Sequence, residues 1–237
     1  MAQTPRIPYQ EQFKMLENYI SVMGRSLINS IIVYGRAGLG KTRVVIDCLK
    51  KNNLKHVIYS GGIKGSYELA KILYKHRKNI IIVFDDIDNA GRTRSQVNLL
   101  MTALQDERKR IISWVDTTRK RKKDEIPERF QFTSGVIFIT NKMRIDPAIK
   151  SRSKVIKIDL TIKQTLDRIK EVLPDYLPRV PLEFKEEVLK WMYTNLSKIT
   201  RMDFRVFKYC LANYLMDKDH NINNGRWKKW SMREIKS

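Results

Sequence analysis

Acidic residues are few in this chain, cysteines fewer, and no uncharged apolar run is long enough to cross a bilayer. Each shortage excludes something. Cys48 and Cys210 stand alone, without the paired spacing of a zinc site, so neither a disulfide framework nor a structural zinc is expected and a reducing compartment fits. His56 and His76 each lack a nearby Cys or second His and read as surface or strand-end residues, not metal ligands. With no apolar span and no secretory leader, a membrane partner is the weaker expectation and a cytoplasmic protein the stronger. The deficit of acid matters most: 25 Asp and Glu face 47 Lys and Arg, a net charge of +22 that calls for a polyanionic partner, nucleic acid first.

Glycine is also sparse, ten in 237 residues, yet three of the ten crowd into one loop. Ile31-Ile32-Val33-Tyr34 reads as a buried strand, and the chain then runs Gly35-Arg36-Ala37-Gly38-Leu39-Gly40-Lys41-Thr42. This is a phosphate-binding loop. The glycines let successive N–H groups turn inward on an anion, Lys41 adds a point charge for the β- and γ-phosphates, and the Thr42 hydroxyl is placed for Mg²⁺. Thr42 to Lys50 has helical spacing, so its dipole faces the same phosphates.

Around this loop the pattern alternates. Tyr9 to Met23 spaces Phe13, Leu16, Ile20 and Met23 as a helix, with Gly24 as its stop. His56 to Tyr59 reads as a strand and Ser66 to Lys75 as a helix. Ile80-Ile81-Ile82-Val83-Phe84 describes a strand covered on both faces, and it delivers Asp85 and Asp86 to the sheet edge where α/β proteins place ligands. Asp85 is expected to hold Mg²⁺ through water, and Asp86 to polarise the attacking water. Ser95 to Gln105 reads as a helix. Lys109 to Val115 and Phe130-Gln131-Phe132 read as a hairpin or long loop whose basic tip, Arg119-Lys120-Arg121-Lys122-Lys123, is suited to sequence-independent phosphate contacts.

Gly135 to Thr140 is another buried strand, followed by Asn141. Asp146 to Arg152 makes a short helical turn and Val155 to Ile158 a last strand. Beyond Asp159 the pattern is helical: Thr161 caps one helix, and Phe184 to Leu196 and Phe204 to Leu215 form two more. The expected organisation is an α/β nucleotide-binding domain over 1–160, with an N-terminal arm and helix over 1–24 and a basic insertion over 106–133. A small helical lid follows over 161–215, then a basic tail over 216–237. Trp227 and Trp230 in that tail read as docking on the body, with base stacking as the other use.

With these pieces in place the chain resembles the AAA+ ATPases, P-loop NTPases with a doubly wound parallel sheet and a small C-terminal helical lid. Gly35 to Thr42 looks like Walker A and Ile81-Ile82-Val83-Phe84-Asp85-Asp86 is similar to Walker B. Asn141 resembles sensor 1, on a strand expected between the other two; Arg152 resembles the finger offered to a neighbouring subunit, and Arg205 resembles sensor 2. The chain departs from the family at Asp86, where Glu is usual, a side chain one methylene shorter. The Phe84-Asp85-Asp86-Ile87-Asp88 run, Lys109 to Trp114 and Val136 to Asn141 resemble small AAA+ proteins encoded by bacteriophages.

The resemblance implies an oligomer, a ring or spiral, that hydrolyses ATP with Mg²⁺ between subunits and acts on DNA, as replication and helicase-loading members do, in the host cytoplasm. A partner helicase or other replication protein would fit that role. Two alternatives keep the same fold: a protein-remodelling ATPase, or a nucleotide-dependent DNA clamp with little turnover. Against remodelling, the stretch Gly61-Gly62-Ile63-Lys64-Gly65-Ser66-Tyr67 is Gly-rich and cationic where unfoldases carry an aromatic-hydrophobic pore loop. A GTPase fails on position, because Asp88-Asn89-Ala90-Gly91 starts three residues past Asp85 and Arg144 stands where Asp would read guanine. A nucleotide kinase needs an acceptor pocket for which the sequence has no signature.

Overall fold

The computed structural model describes residues 7–86, 91, 93–107, 109–114, 126–219 and 225–236. Two units emerge: Met1–Arg36 with Lys41–Ile158, and Ala37–Gly40 with Asp159–Ser237. In chain order the first unit runs α1 (Tyr9–Gly24), β1 (Ser30–Tyr34), α2 (Lys41–Lys51), β2 (His56–Ser60), α3 (Ser66–Lys75) and β3 (Ile81–Asp85). It continues through α4 (Arg94–Ala103), β4 (Arg110–Ser113), β5 (Arg129–Phe132), β6 (Gly135–Thr140), the one-turn α5 (Pro147–Lys150) and β7 (Lys154–Lys157).

Five of these strands form one parallel sheet in the order β2-β3-β6-β1-β7. Parallel neighbours need crossovers, and the helices that supply them cover both faces, which is why the strands read as unbroken apolar runs. Side chains alternate across the sheet. Ile32, Ile82, Phe84, Val136 and Phe138 join the core beneath α3 and α4, while Ile31, Val33, Val83, Ile137 and Ile139 are buried with the opposite parity. α1 packs against α2, β1 and β7 through buried Phe13, Leu16, Ile20 and Met23. Gly24 ends α1, but the left-handed residue beyond it is Ser26 (φ 58); Gly24 itself is needed small, because a Cβ there would sit 2.7 Å from Leu54.

Where the sequence suggests a hairpin or long loop, the described residues form the antiparallel pair β4–β5, with Arg110 opposite Phe132 and Ser113 opposite Arg129. Its stem is pinned by a buried cation. The Arg110 guanidinium is 1% exposed and donates to Ala103 O (2.7 Å), Ser134 O (2.8 Å) and Phe132 O (3.3 Å), and burial pushes its pKa down to about 10. At the other end of the stem Trp114 donates through its N–H to Glu128 O and through Nε1 to Pro127 O. The basic tip, residues 119–123, lies outside the described residues.

The second unit packs α6 (Ile162–Val172), α7 (Leu182–Thr194), a single 3₁₀ turn (Leu196–Lys198), α8 (Phe204–Asp219) and α9 (Arg226–Lys236) around its own core of Leu166, Val188, Met192, Phe207, Leu211 and Trp227. Thr161 caps α6 with a full capping box, its hydroxyl accepting from Gln164 N while Gln164 Oε1 accepts from Thr161 N. The basic tail therefore ends in a helix. Trp227 is buried edge-on against Trp191 and Tyr214, and Trp230 is half-buried. Among the described residues no helix is long and apolar enough to cross a membrane.

Candidate nucleotide-binding site

Register sets the site. β6 lies between β1 and β3, with Tyr34 level with Thr140 and Asp85 level with Ile139, so Gly35, Asp86 and Asn141 leave the sheet at one edge. Two backbone bonds carry the alignment past the strand ends: Gly35 N donates to Thr140 O (3.3 Å) and Asp86 N to Ile139 O (2.9 Å).

The loop after β1 turns on its glycines. Gly35 (φ 155) passes so close to β7 that a Cβ would stand 2.1 Å from Ile158 O, a backbone atom with nowhere to go. Gly38 (φ 74) lies against Asp203, whose side chain would be 2.8 Å from a Cβ, and Gly38 O accepts from Phe204 N at 3.0 Å. Asp203 is 4% exposed and caps α8, its Oδ1 accepting from Arg205 N (2.7 Å) and Val206 N (3.0 Å); Arg201 pairs with its other oxygen at 3.2 Å. Leu39 is buried, and Arg36, Ala37 and Gly40 complete the turn into α2.

Lys41, at the head of α2, is 5% exposed; its Nζ donates to Gly35 O (2.8 Å), Arg36 O (2.8 Å) and Asn141 Oδ1 (3.0 Å). The Asn141 amide then donates to Asp86 Oδ1 at 2.6 Å. Beside this relay Thr42 Oγ1 donates to Asp85 Oδ1 at 3.0 Å. Asp85 is the perturbed acid of the group: burial pushes its pKa up, the Thr42 hydrogen bond opposes that, the Asp86 charge adds to it and Lys41 opposes it. Asp86 takes a left-handed backbone (φ 55), a conformation that Asp and Asn tolerate far better than longer side chains. Strain of that kind gathers at functional sites.

Five of the residues anticipated for catalysis or metal thus lie side by side in two hydrogen-bonded sets, Lys41–Asn141–Asp86 and Thr42–Asp85, with the charges of Asp86 and Lys41 felt at Asp85. Arg152 is in neither. Its guanidinium turns back on its own segment, donating to Ala148 O at 3.0 Å and Ser151 Oγ at 3.4 Å. Arg205 is exposed in the first turn of α8, in the second unit. The donor set suits Mg²⁺, a hard cation that keeps water and phosphate oxygens. It needs a hydroxyl and a carboxylate at hydrogen-bond distance, and Thr42 and Asp85 are that pair. No cluster of three His, Cys, Asp or Glu side chains that would cage a metal by protein alone occurs among the described residues.

Asp203 is the residue that sequence reading missed. An Asp directly before an apolar helix is a capping signal that was available to find it; its place against Gly38 was not.

Comparisons with known proteins bear on the family and the fold. The ATPase family associated with various cellular activities (AAA) matches residues 31–160, from β1 past the end of β7. An uncharacterized 36.7 kDa protein in the nrdC-mobD intergenic region of Enterobacteria phage T4 is 25% identical over 224 residues, covering 84% of this chain and 68% of the phage protein. Among solved structures, a point mutant of Thermotoga maritima RuvB has a TM-score of 0.61 at 17% identity, over 96% of this chain and 71% of that one. The same protein, described as a Holliday junction branch migration motor, has a TM-score of 0.58 at 17% identity, over 97% of this chain and 70% of that one. At this identity the likeness is one of fold.

Proposed function

The chain belongs to the AAA family of ATPases, and on that premise we propose that it is an Mg-ATP-dependent hydrolase whose copies assemble and couple nucleotide turnover to DNA. We read its role as helicase-loader-like, in phage DNA replication. The observation that carries the hydrolase reading is the relay from Lys41 through Asn141 to Asp86, beside the Thr42–Asp85 pair.

Each residue has a task in this reading. Lys41 exchanges its carbonyl acceptors for the β- and γ-phosphates, which the loop N–H groups and the α2 dipole also face. Thr42 and Asp85 would hold Mg²⁺, which would supply electrostatic stabilisation of the charge that develops on the phosphates. Asp86 takes the proton of the attacking water, and Asn141 holds that carboxylate in place. Arg152 leaves Ala148 O to reach the γ-phosphate of a neighbouring copy, and Arg205 senses nucleotide from α8.

The DNA reading draws on the net charge of +22, on the basic segment at residues 119–123 and on a fold shared with a branch migration motor. Phosphate release measured with and without single-stranded and duplex DNA across a salt series tests it. Stimulation lost at high salt supports the proposal. Turnover indifferent to DNA overturns it in favour of protein remodelling, and DNA binding without turnover in favour of a clamp.

A further inference from the structure

We propose that α9 is a rail for the phosphate backbone of duplex DNA, an assignment that rests on the DNA reading above. Arg226, Lys229, Arg233 and Lys236 are all exposed and recur every three or four residues. At about 100° per residue they fall within an arc of roughly 80°, in a row about 15 Å long. The arc opposite holds the buried anchors Trp227, Ser231 and Ile235. Beyond the side-chain packing, Ile235 O accepts from Thr200 N (2.9 Å) and Thr200 Oγ1 (3.1 Å), so the helix is fixed in the lid core and the row presents its charge as a rigid line.

Folding accounts for only part of this charge: Arg233 and Lys236 lie in the last turn, where the dipole favours cations, but the rest runs against it. Arg226–Lys229, Lys229–Arg233 and Arg233–Lys236 are like-charge pairs at i,i+3 or i,i+4 spacing, each of which weakens a helix. Arg226, Lys228 and Lys229 sit at the positive end of the dipole, and the first turn holds no acid to offset them. No carboxylate among the described residues pairs with any of the four. Glu234, the one acid of α9, is half-buried and off the row. An unpaired line of cations, two of them facing the helix dipole's positive end and all spaced as like-charge neighbours, is suited to an external polyanion.

The chemistry selects duplex over the other polyanions. Single-strand sites add exposed aromatic platforms to their charge, whereas Trp227 is spent on the core and Trp230 is half-buried and off the row. A membrane-surface helix lays an apolar face into lipid, and the apolar face of α9 is already covered by protein.

The test is fluorescence anisotropy of the full chain on a labelled random-sequence duplex, titrated across salt. Replacing Arg226, Lys229, Arg233 and Lys236 together by Gln should make the slope of log affinity against log salt shallower by about 3 to 4, at about 0.9 per phosphate contact. DNA-independent ATP turnover should stay as in the parent, and the unfolding midpoint should hold or rise as the like-charge pairs vanish. Arg226→Lys with Arg233→Lys should keep the parental slope, since a phosphate rail asks only for point charge. Removing equal charge through Lys50→Gln, Lys51→Gln, Lys71→Gln and Lys75→Gln should also keep it. The assignment is overturned by an unchanged slope in the α9 variant, by equal shallowing in the α2–α3 variant, or by a loss confined to single strands or to phosphatidylserine vesicles. A parent that binds no duplex at all instead sinks the DNA reading on which the rail rests.

Discussion

The amide of Asn141 stands 2.6 Å from the Asp86 carboxylate and, through its other atom, 3.0 Å from Lys41. The residue proposed to grip phosphate is thereby joined to the one proposed to handle water. Asn141→Ala removes a positioned donor, a loss worth about a hundredfold in kcat, while ATP affinity stays within a few-fold. Asp86→Asn should abolish turnover and leave binding intact. Phosphate release set beside nucleotide titration reads both, and unchanged turnover in Asp86→Asn removes Asp86 from the chemistry.

Asp85 gives a pH signature. Its folded pKa lies above the usual 3.8, so at neutral pH the folded protein carries a carboxylate that the unfolded chain holds more comfortably. Well below pH 3.8 both states are protonated and the cost is absent; it grows as pH rises from 3.8 to the elevated value and is constant above that. Asp85→Asn should therefore raise the nucleotide-free unfolding midpoint near pH 7, with the gain fading toward about pH 4, and should also remove the extra stabilisation expected from Mg²⁺ with ATP. Thermal unfolding across pH decides it.

Gly38→Ala combines a left-handed backbone with a 2.8 Å collision against Asp203. We expect a loss of about 1–2 kcal/mol and at least tenfold in ATP affinity, read by thermal unfolding and nucleotide titration. Gly35→Ala should be worse and leave little folded protein, because its Cβ meets the Ile158 carbonyl and not a side chain able to turn aside.

If the site is shared between copies, Arg152→Ala and Lys41→Ala should each be inactive alone and partly active when mixed, because one seam in the mixture unites an intact loop with an intact finger. Equal inactivity of the mixture, with both variants folded by their unfolding midpoints, would place Arg152 outside the reaction.

How much of this was legible in the sequence follows from where each residue's burial comes from. The five sheet strands were readable because parallel strands covered on both faces leave no polar alternation, and the Asp and Asn at their ends announced the ligand edge. The hairpin was readable as a pair, but Arg110 was not: next to Lys109 it looks like surface charge, and only the carbonyls of Ala103, Phe132 and Ser134 make its burial possible. α9 escaped notice for the opposite reason. Its anchors at 227, 231 and 235 are sparse and include a serine, so the cations between them masked the helical period. The left-handed turn at Asp86 leaves no mark in composition.

Because the guanidinium of Arg110 rivets the base of β4–β5 to α4 and to the entry of β6, and Trp114 fastens the other end of β4 to Pro127 and Glu128, the two-stranded stem is bound to move with the parallel sheet as one piece.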